Sequence, residues 1–205
     1  MTAPLSTTSH AILGLLSLRS WTTYELTKQV QKSLGWFWPR AERKLYDEPK
    51  RLAAAGLASS EREMTGARPR TVYAVTRKGR SALNAWLGVP PVPPTLEFEG
   101  MVKVFFADGG SLDQLRATLV SIAETAEARL ADLAEKVDEL SEDQPAFVER
   151  VHLNALGLRF IIEHERSIAG WARWALEQIE GWHTTTDPGS WDHRRALSSR
   201  LPGGT

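Results

Sequence analysis

Cationic side chains at helical spacing are the residues of this sequence whose chemistry is easiest to assign. Arg40, Arg43 and Lys44 follow Pro39 and precede the apolar Leu45. Proline favours the first position of a helix, so the segment predicts a helix that turns these cations away from its apolar side. A guanidinium can bind the edge of guanine with two hydrogen bonds. The spacing therefore favours contact between these three side chains and base edges, and the alternative is a solvated helix face.

Further candidate DNA contacts lie on both sides of this segment. Side chains that donate to phosphate oxygens set the register of a protein on DNA without reading its sequence, and such contacts make binding fall steeply with salt. The phosphate-contact candidates are Tyr24, Lys28, Lys50, Arg68, Arg70 and Lys78. Tyr46, within the predicted helix itself, completes the predicted DNA-binding set.

Other kinds of site have weak support in the sequence. No two of the five histidines are three or four residues apart, and cysteine is absent. Glu163-His164-Glu165 is the only local cluster that could hold a metal ion, and we interpret it as helix surface or a hydrogen bond at a dimer interface. The sequence has no glycine-rich phosphate loop and no nucleophile elbow. We therefore expect no catalytic residue, no metal and no cofactor.

The helix that positions the first three cations is predicted over residues 39–55. Leu45 and Leu52 should face inward, and Gly56 should end the helix in left-handed geometry. Pro49 lies inside this range and lacks an amide donor, so we expect a kink there or a helix in two pieces.

A basic hairpin follows this helix. The pattern predicts strands over 57–64 and 71–76, joined by a loop over 65–70 that contains glycine, proline and two arginines. A helix followed by a hairpin with a cationic tip is the outline of a winged helix-turn-helix. Its helix fits the DNA major groove, and its wing can reach a flanking phosphate or the minor groove.

Three more helices are predicted around this unit. Residues 1–8 are interpreted as a frayed lead-in to a first helix that begins at Ser9. Thr22 and Glu25 have the spacing of a capping box, which opens a second helix. Thr76 can cap a fourth helix over residues 77–87.

Charge separates the two halves of the 205-residue chain. Residues 1–87 carry 14 Lys and Arg against 6 Asp and Glu, a net charge of +8, and residues 88–205 carry 11 against 19, a net charge of −8. The basic half suits a polyanion, whereas the acidic half would be repelled by DNA and must do something else. The lack of cysteine and of any apolar run near the ~20 residues of a membrane span leads us to expect a cytoplasmic protein without membrane contact.

The acidic half is predicted to be helical. Residues 89–95 form a proline-rich linker, and 96–108 form a helix with Phe105 among its buried residues. Ser111 and Gln114 make a second capping box, which opens a long helix with apolar residues three and four apart. A second long helix runs from Pro145 to about Trp182, and a mobile tail follows in which Trp191 can pack back.

Two long helices and a short one make a poor closed core alone, so we expect a second copy of the chain to cover them. The predicted dimer interface consists of Phe105, Leu115, Leu119, Ile122, Leu156, Phe160, Ile168 and Trp171. Phe160, His164, Trp171 and Trp174 could also line a pocket for a small aromatic effector at this interface. Ordinary packing between helices is the alternative for these four side chains.

A series of short motifs follows along the first half of the chain: His10-Ala11-Ile12-Leu13-Gly14-Leu15-Leu16, Tyr24-Glu25-Leu26, Phe37-Trp38-Pro39, Leu45-Tyr46, Arg51-Leu52, Gly56-Leu57, Arg68-Pro69, Val72-Tyr73 and Val75-Thr76 with Gly79. By these motifs the chain resembles the PadR family of transcriptional regulators, in the branch with a long helical C-terminal domain. The similarity covers residues 9–87 densely and 96–182 only as a pattern. The resemblance implies a dimeric winged-helix DNA binder, often a repressor, whose C-terminal helices form the dimer and hold a small effector.

These observations lead to one interpretation with two rivals. We expect a mainly α fold with a small β-hairpin, built as a winged helix-turn-helix over 1–88, a linker over 89–95, an antiparallel long-helix dimerisation and effector domain over 96–183, and a flexible tail over 184–205. Its function would be sequence-specific binding of double-stranded operator DNA as a homodimer that represses transcription. The rivals are a protein-interaction module that uses a winged helix without specific DNA binding, and an enzyme with a site in the helical half.

Overall fold

A computed structural model of the chain describes residues 4–39, 42–65, 68–141 and 147–198. These residues divide into two compact units, the first ending at Pro94 and the second beginning at Thr95. The predicted fold class is confirmed, since the chain is mainly helical with one small antiparallel sheet. Among the described residues, no helix combines the length and the apolar character needed to cross a membrane.

The first unit contains four helices and a three-stranded sheet. Its elements are α1 Thr7–Leu18, β1 Trp21–Thr22, α2 Thr23–Ser33, α3 Glu42–Ala54, β2 Ala58–Thr65, β3 Arg68–Val75 and α4 Arg77–Leu87. The core between the helices is aliphatic and consists mainly of Ile12, Leu13, Leu16, Leu26, Val30, Leu45 and Leu52, all buried. Burial of these side chains away from water is the main term that holds α3 in place.

Local hydrogen bonds set the helix starts of this unit. The predicted capping box is confirmed, since the amide of Glu25 donates to Thr22 Oγ1 at 3.2 Å and the amide of Thr22 donates to Glu25 Oε2 at 2.8 Å. Thr76 caps α4 as predicted, by accepting from the amide of Gly79 at 3.1 Å. The prediction of a lead-in through residue 8 is wrong, because Ser6 forms a further capping box with Ser9 and α1 begins two residues before Ser9.

Helix α3 differs from the prediction at its start and at its proline. Pro39 lies outside the helix, because the turn that closes α2 extends to Trp38, whose amide donates to the Leu34 carbonyl at 2.7 Å. The helix runs without a break through Pro49, so the alternative of two pieces is wrong. Pro49 is fully buried, and this burial offsets part of the ~3 kcal/mol that a proline costs inside a helix. Gly56 ends the helix with φ +71°, as predicted.

Strand β2 is shifted by one residue from its predicted bounds, and β3 begins three residues earlier than predicted. Strands β2 and β3 pair in register from Ala58 with Val75 to Thr65 with Arg68, so Arg68, Pro69 and Arg70 belong to β3 and not to a loop. The central strand is β3, with β1 on its other side. Strand β1 pairs only with Val72 and Tyr73 of β3. The first residues of β3 therefore have no second neighbouring strand, and Pro69, which has no amide to donate, is tolerated there.

The second unit is helical. It contains α5 Glu99–Phe105, α6 Leu112–Ser141, α7 Val151–Ile179 and α8 His193–Ser198, with 3-10 turns at Ala107–Gly109 and Val148–Arg150. The predicted helix over 96–108 is wrong at both ends, since α5 starts after Phe98 and gives way to a 3-10 turn. The predicted capping box at the start of α6 is confirmed: the amide of Ser111 donates to Gln114 Oε1 at 2.8 Å and the amide of Gln114 to Ser111 Oγ at 3.2 Å.

Helices α6 and α7 pack antiparallel. Leu115 near the start of α6 packs with Ile179 at the end of α7, and Ile122 packs with Ala172 about two turns further in. Beyond them, Arg129 Nη1 bonds Glu165 Oε1 at 2.9 Å. The order of these contacts along the two helices runs in opposite directions, which confirms the predicted antiparallel arrangement.

Of the predicted flexible tail over 184–205, residues 184–198 contact the rest of the second unit, and residues 199–205 lie outside the described residues. Trp191 packs against Trp182 with ring centroids 5.4 Å apart, and its Nε1 donates to Gln178 Oε1 at 3.1 Å. The hydroxyl of Thr185 donates to the Gly110 carbonyl at 3.3 Å. Trp191 therefore packs back as predicted and holds the segment against α7.

Candidate nucleic-acid interface

Helix α3 presents cations on the side opposite the core. Leu45 and Leu52 are buried, whereas Arg43, Lys44 and Lys50 are exposed on the other side of the helix. Arg40, the fourth predicted cation, lies outside the described residues. The amphipathic pattern thus places three predicted contacts on one surface, which we name the recognition face.

A buried carboxylate anchors the back of this helix. Glu48 is 7% exposed and accepts a hydrogen bond from the Ser9 hydroxyl of α1. Its Oε1 also lies 3.3 Å from Nη2 of Arg51, one turn further along α3. Arg51 in turn donates to Ser9 Oγ at 3.4 Å. This triad ties α3 to α1 and so fixes which side of α3 faces outward.

The sequence interpretation missed the triad. Glu48 lies between Leu45 and Leu52 on the apolar stripe, and a charged residue on a buried stripe is a sign that a partner is present. Ser9 is 39 residues away in the chain, so spacing alone does not identify it as that partner. The side chain of Arg51 is 58% exposed, so its charge, partly neutralised by Glu48, lies at the edge of the recognition face.

The recognition face also carries an acid. Asp47 lies on the same exposed stripe as Arg43 and Lys50, and its Oδ1 lies 3.4 Å from Lys50 Nζ. The two side chains are 65% and 63% exposed, so the pair is accessible to a ligand. Tyr46 is 36% exposed, on the other edge of the helix.

Helix α2 contributes a second exposed group. Tyr24 is 61% exposed, and Lys28 Nζ lies 5.8 Å from the centroid of its ring. The structure thus brings these two predicted contacts together as a cation–π pair. The neighbouring Glu25 is held in the capping box, where the amide and then the hydroxyl of Thr22 lower the pKa of its carboxyl.

The wing carries its arginine in an ion pair. Arg70 donates to Glu63 Oε2 from Nη2 at 2.9 Å and from Nε at 3.2 Å, across a directly opposed pair of β2 and β3. Part of the charge of Arg70 is therefore neutralised before any contact with DNA. Arg68 lies at the tip, where it begins β3.

Lys78 has a structural contact. Its Nζ donates to the carbonyl of Ala55 at 3.0 Å, at the C-terminal end of α3. A cation there satisfies a free carbonyl and interacts favourably with the negative end of the helix dipole. The structure thus gives Lys78 a role in holding α3 that the phosphate-contact prediction did not include.

The four predicted effector residues do not meet within one chain. Phe160 stacks on His164, with ring centroids 6.3 Å apart, and is 63% exposed. Trp171 and Trp174 pack into the cluster around Leu115. Residues 160 and 174 are separated by roughly 21 Å along the helix at 1.5 Å per residue, so a single chain forms no common pocket from the four.

The predicted dimer residues fall into two groups. Leu115, Leu119 and Ile122 are buried against α7, with Ile168 and Trp171 packed beside them, so intrachain packing already covers these apolar groups. The prediction did not separate the stripe that α7 covers from the stripe that stays open. The other group, on α5 and the first half of α7, is exposed: Phe105 at 77%, Leu156 at 71% and Phe160 at 63%.

Comparisons with known proteins match the two units of the chain to two family models. Residues 12–85 match the Transcriptional regulator PadR-like family, and residues 99–180 match Virulence activator alpha C-term. The Negative transcriptional regulator PadR of Bacillus subtilis is 26% identical over 175 residues, which are 83% of this chain and 96% of that protein.

Two solved structures of that Bacillus subtilis protein are similar to this fold. PadR in complex with operator DNA is 26% identical with a TM-score of 0.77, over 86% of this chain and 100% of that chain. PadR in complex with p-coumaric acid is 25% identical with a TM-score of 0.68, over 86% of this chain and 97% of that chain.

Proposed function

Because the chain belongs to the PadR-like family of transcriptional regulators, which are not enzymes, we propose that it is a homodimeric repressor that binds operator DNA. The recognition face of α3 enters the major groove, and the wing lies along the flanking backbone. The exposed cations of α3, held outward by the buried Glu48, are the observation that carries this proposal. The operator complex of a relative that is 26% identical supports it.

Contacts on the proposed interface divide by their chemistry. Arg40, Arg43 and Lys44 contact base edges, and the remaining predicted contacts bind phosphate or sugar. This second set comprises Tyr24, Lys28, Tyr46, Lys50, Arg68, Arg70 and Lys78. Phosphate contacts position the protein and base contacts specify the sequence. Arg70 would have to exchange Glu63 for a phosphate, which makes its contribution smaller than that of an unpaired arginine.

The helical unit supplies the dimer. Phe105, Leu156 and Phe160 expose large apolar surfaces that a second copy of the chain would cover, with Leu153 near the start of α7 and Val148 in the 3-10 turn before it also exposed. A two-fold axis through this unit sets the distance between the two recognition helices, and so the spacing of the operator half-sites. The domain division that we propose is a DNA-binding unit over 1–88, a linker over 89–95 and a dimerisation unit over 96–183.

A small aromatic effector is the proposed regulator of this dimer. The Phe160 and His164 rings stack on an exposed face, and pairing of two chains would bring two such stacks near one axis. The complex of a 25% identical relative with p-coumaric acid favours an aromatic carboxylate. A ligand that binds one dimer geometry better than the other shifts operator affinity in proportion to that difference. We also propose a cytoplasmic location, since the proposed partner is DNA.

Binding to the DNA upstream of its own gene tests the function. We expect the full chain to bind this duplex at least about a thousandfold more tightly than a scrambled duplex of equal composition, with affinity that falls linearly on a log–log plot against salt. Arg43→Ala should weaken binding, whereas Arg116→Ala, which removes the same charge from α6, should not. Equal weak binding of both duplexes, with no effect of Arg43→Ala, would favour the protein-interaction module.

The sign of regulation and the effector need separate assays. The name Negative transcriptional regulator favours repression, whereas the C-terminal match to Virulence activator alpha favours activation. A reporter under the upstream region should rise when the gene is deleted, and a fall would assign an activator. Addition of p-coumaric acid should raise the midpoint of thermal unfolding and release the duplex, and no change in either measurement would exclude this acid as the effector.

A further inference from the structure

Asp47 is an acid on the side of α3 that the proposed function turns toward DNA. It lies four residues after Arg43 and three before Lys50, so the three side chains share one stripe of the helix. Their directions are opposite to those of the buried Leu45 and Leu52. Asp47 is therefore near the middle of the recognition face and not at its rim.

The fold gives little reason for an acid at this position. The pair of Asp47 with Lys50 is 3.4 Å long and about two-thirds exposed on both sides. An exposed pair of this kind, three residues apart on a helix, contributes little to stability. Against a polyanion, moreover, a carboxylate is repelled unless it meets a donor. Its place at the centre of the face therefore calls for a donor on the DNA.

The bases offer only a few donors to a carboxylate. An ionised carboxylate only accepts hydrogen bonds. In the major groove the base donors are the N4 amino group of cytosine and the N6 amino group of adenine, and Asp pairs with the cytosine group. Lys50, one turn further on, has the complementary chemistry, since an ammonium only donates and the guanine edge presents the acceptors O6 and N7.

We propose that Asp47 and Lys50 together read one C·G base pair in each operator half-site. Asp47 accepts from cytosine N4 while Lys50 donates to guanine O6 or N7. The neighbouring acceptor and donor, 3.4 Å apart in the free protein, match the donor and acceptors that this base pair presents in the major groove. This inference rests on the proposed function and adds a specificity residue, Asp47, and a base-reading role for Lys50 that the phosphate assignment lacked.

Selection from a pool of randomised duplexes tests the proposal. The wild-type full chain should enrich a two-fold related sequence with one C·G position in each half-site, where another base pair costs about tenfold in affinity. Asp47→Ala should remove the preference at those two positions and leave the others unchanged. Asp47→Asn should change the preference from cytosine toward adenine, because an amide pairs with adenine N6 and N7. Lys50→Ala should weaken the preference at the same positions.

A matched control separates a base contact from a change in charge. Asp113 pairs with Arg116 three residues away at 3.3 Å on α6, so Asp113→Ala removes the same charge from the same kind of pair outside the recognition face. It should leave the selected sequence unchanged. If the wild type enriches a sequence that Asp47→Ala and Asp47→Asn enrich identically, the inference is overturned and the proposed function stands. If the wild type enriches no sequence, the proposed function fails and the inference fails with it.

Discussion

The two units of the chain each bury a glutamate, and they use it differently. Glu48 is 7% exposed in the first unit, and Glu165 is 2% exposed in the second. Glu48 has two kinds of partner, the hydroxyl of Ser9 and the guanidinium of Arg51. Glu165 bonds Arg129 across the two long helices. A buried carboxylate is costly unless it is paired. Each glutamate therefore makes the position of its helix depend on a partner that lies on another helix.

The units also differ in how far one chain completes them. In the first unit, helices α1 to α3 bury their aliphatic stripes against each other. In the second, α6 and α7 cover one stripe, while Phe105, Leu156 and Phe160 remain open to water. A unit whose apolar helix faces are buried within one chain can present charged side chains to an external ligand. A unit whose apolar face stays exposed gains stability when a second chain covers that face. The following predictions test this difference.

Loss of the cross-helix arginine should have the largest effect on folding. Arg129→Ala leaves the carboxylate of Glu165, whose side chain is 3% exposed, without its guanidinium, and removal of the partner of a buried charge costs about 3 kcal/mol even though Arg129 itself is 46% exposed. The measurement is the free energy of unfolding in urea. Arg173→Ala is the matched control, because Arg173 also bridges the two helices, to Glu127 at 3.2 Å, but both partners are half exposed. Equal losses for the two variants would show that burial of Glu165 does not decide the cost.

A charge on the open face should break the proposed dimer. Phe160→Glu places a carboxylate on a surface that is 63% exposed in one chain and covered in the proposed dimer. We expect dimer dissociation to increase at least about thirtyfold, which corresponds to about 2 kcal/mol, with little change in the helicity of the chain. Light scattering over a dilution series gives the measurement. Val92→Glu, at an exposed linker valine, should not change the assembly, and a monomeric wild type would contradict the pairing of the open face.

Sequence reasoning located the features that depend on neighbours three or four residues apart. The capping boxes of Thr22 with Glu25 and of Ser111 with Gln114 belong to this class, as does the left-handed Gly56. These are local because a helix start is decided within its first turn. The basic side of α3 was also predictable, because a 3.6-residue period separates inward from outward positions.

The features that sequence reasoning missed depend on distant partners. Strand β1 has two residues and exists because Trp21 pairs with Tyr73, far along the chain. The contact of Glu48 with Ser9 is likewise non-local. The apolar stripe of α6 identified Leu115 as a residue that needs a partner, but periodicity cannot say whether that partner is α7 or a second chain.

Removal of the hydroxyl that holds Glu48 should affect stability and DNA binding together. Ser9→Ala leaves the carboxylate with Arg51 alone and also removes the Ser9 hydroxyl from the capping box of α1; loss of the hydrogen bond to the charged group by itself costs about 1.5 kcal/mol. Because the triad fixes the outward side of α3, operator affinity should fall further than affinity for scrambled DNA. Ser17→Ala is the control, since that hydroxyl bonds the Leu13 carbonyl of its own helix at 2.9 Å. If operator and scrambled affinities fall in equal proportion, the triad does not orient α3.

The smallest predicted effect is a difference between the two capping boxes in how their contribution to stability depends on pH. Thr22→Ala and Ser111→Ala should each cost about 1 kcal/mol at neutral pH. Hydrogen bonds from Thr22 lower the pKa of Glu25 below its ordinary value of 4.5, so the stability that this box contributes is present above pH 4.5 and is lost as pH falls through the lowered pKa. The box of Ser111 closes on the neutral amide of Gln114, which does not titrate. In urea unfolding, the loss of stability caused by Thr22→Ala should therefore shrink in acid, while the loss caused by Ser111→Ala should stay constant. If both losses change with pH in the same way, ionisation of Glu25 does not explain the acid dependence.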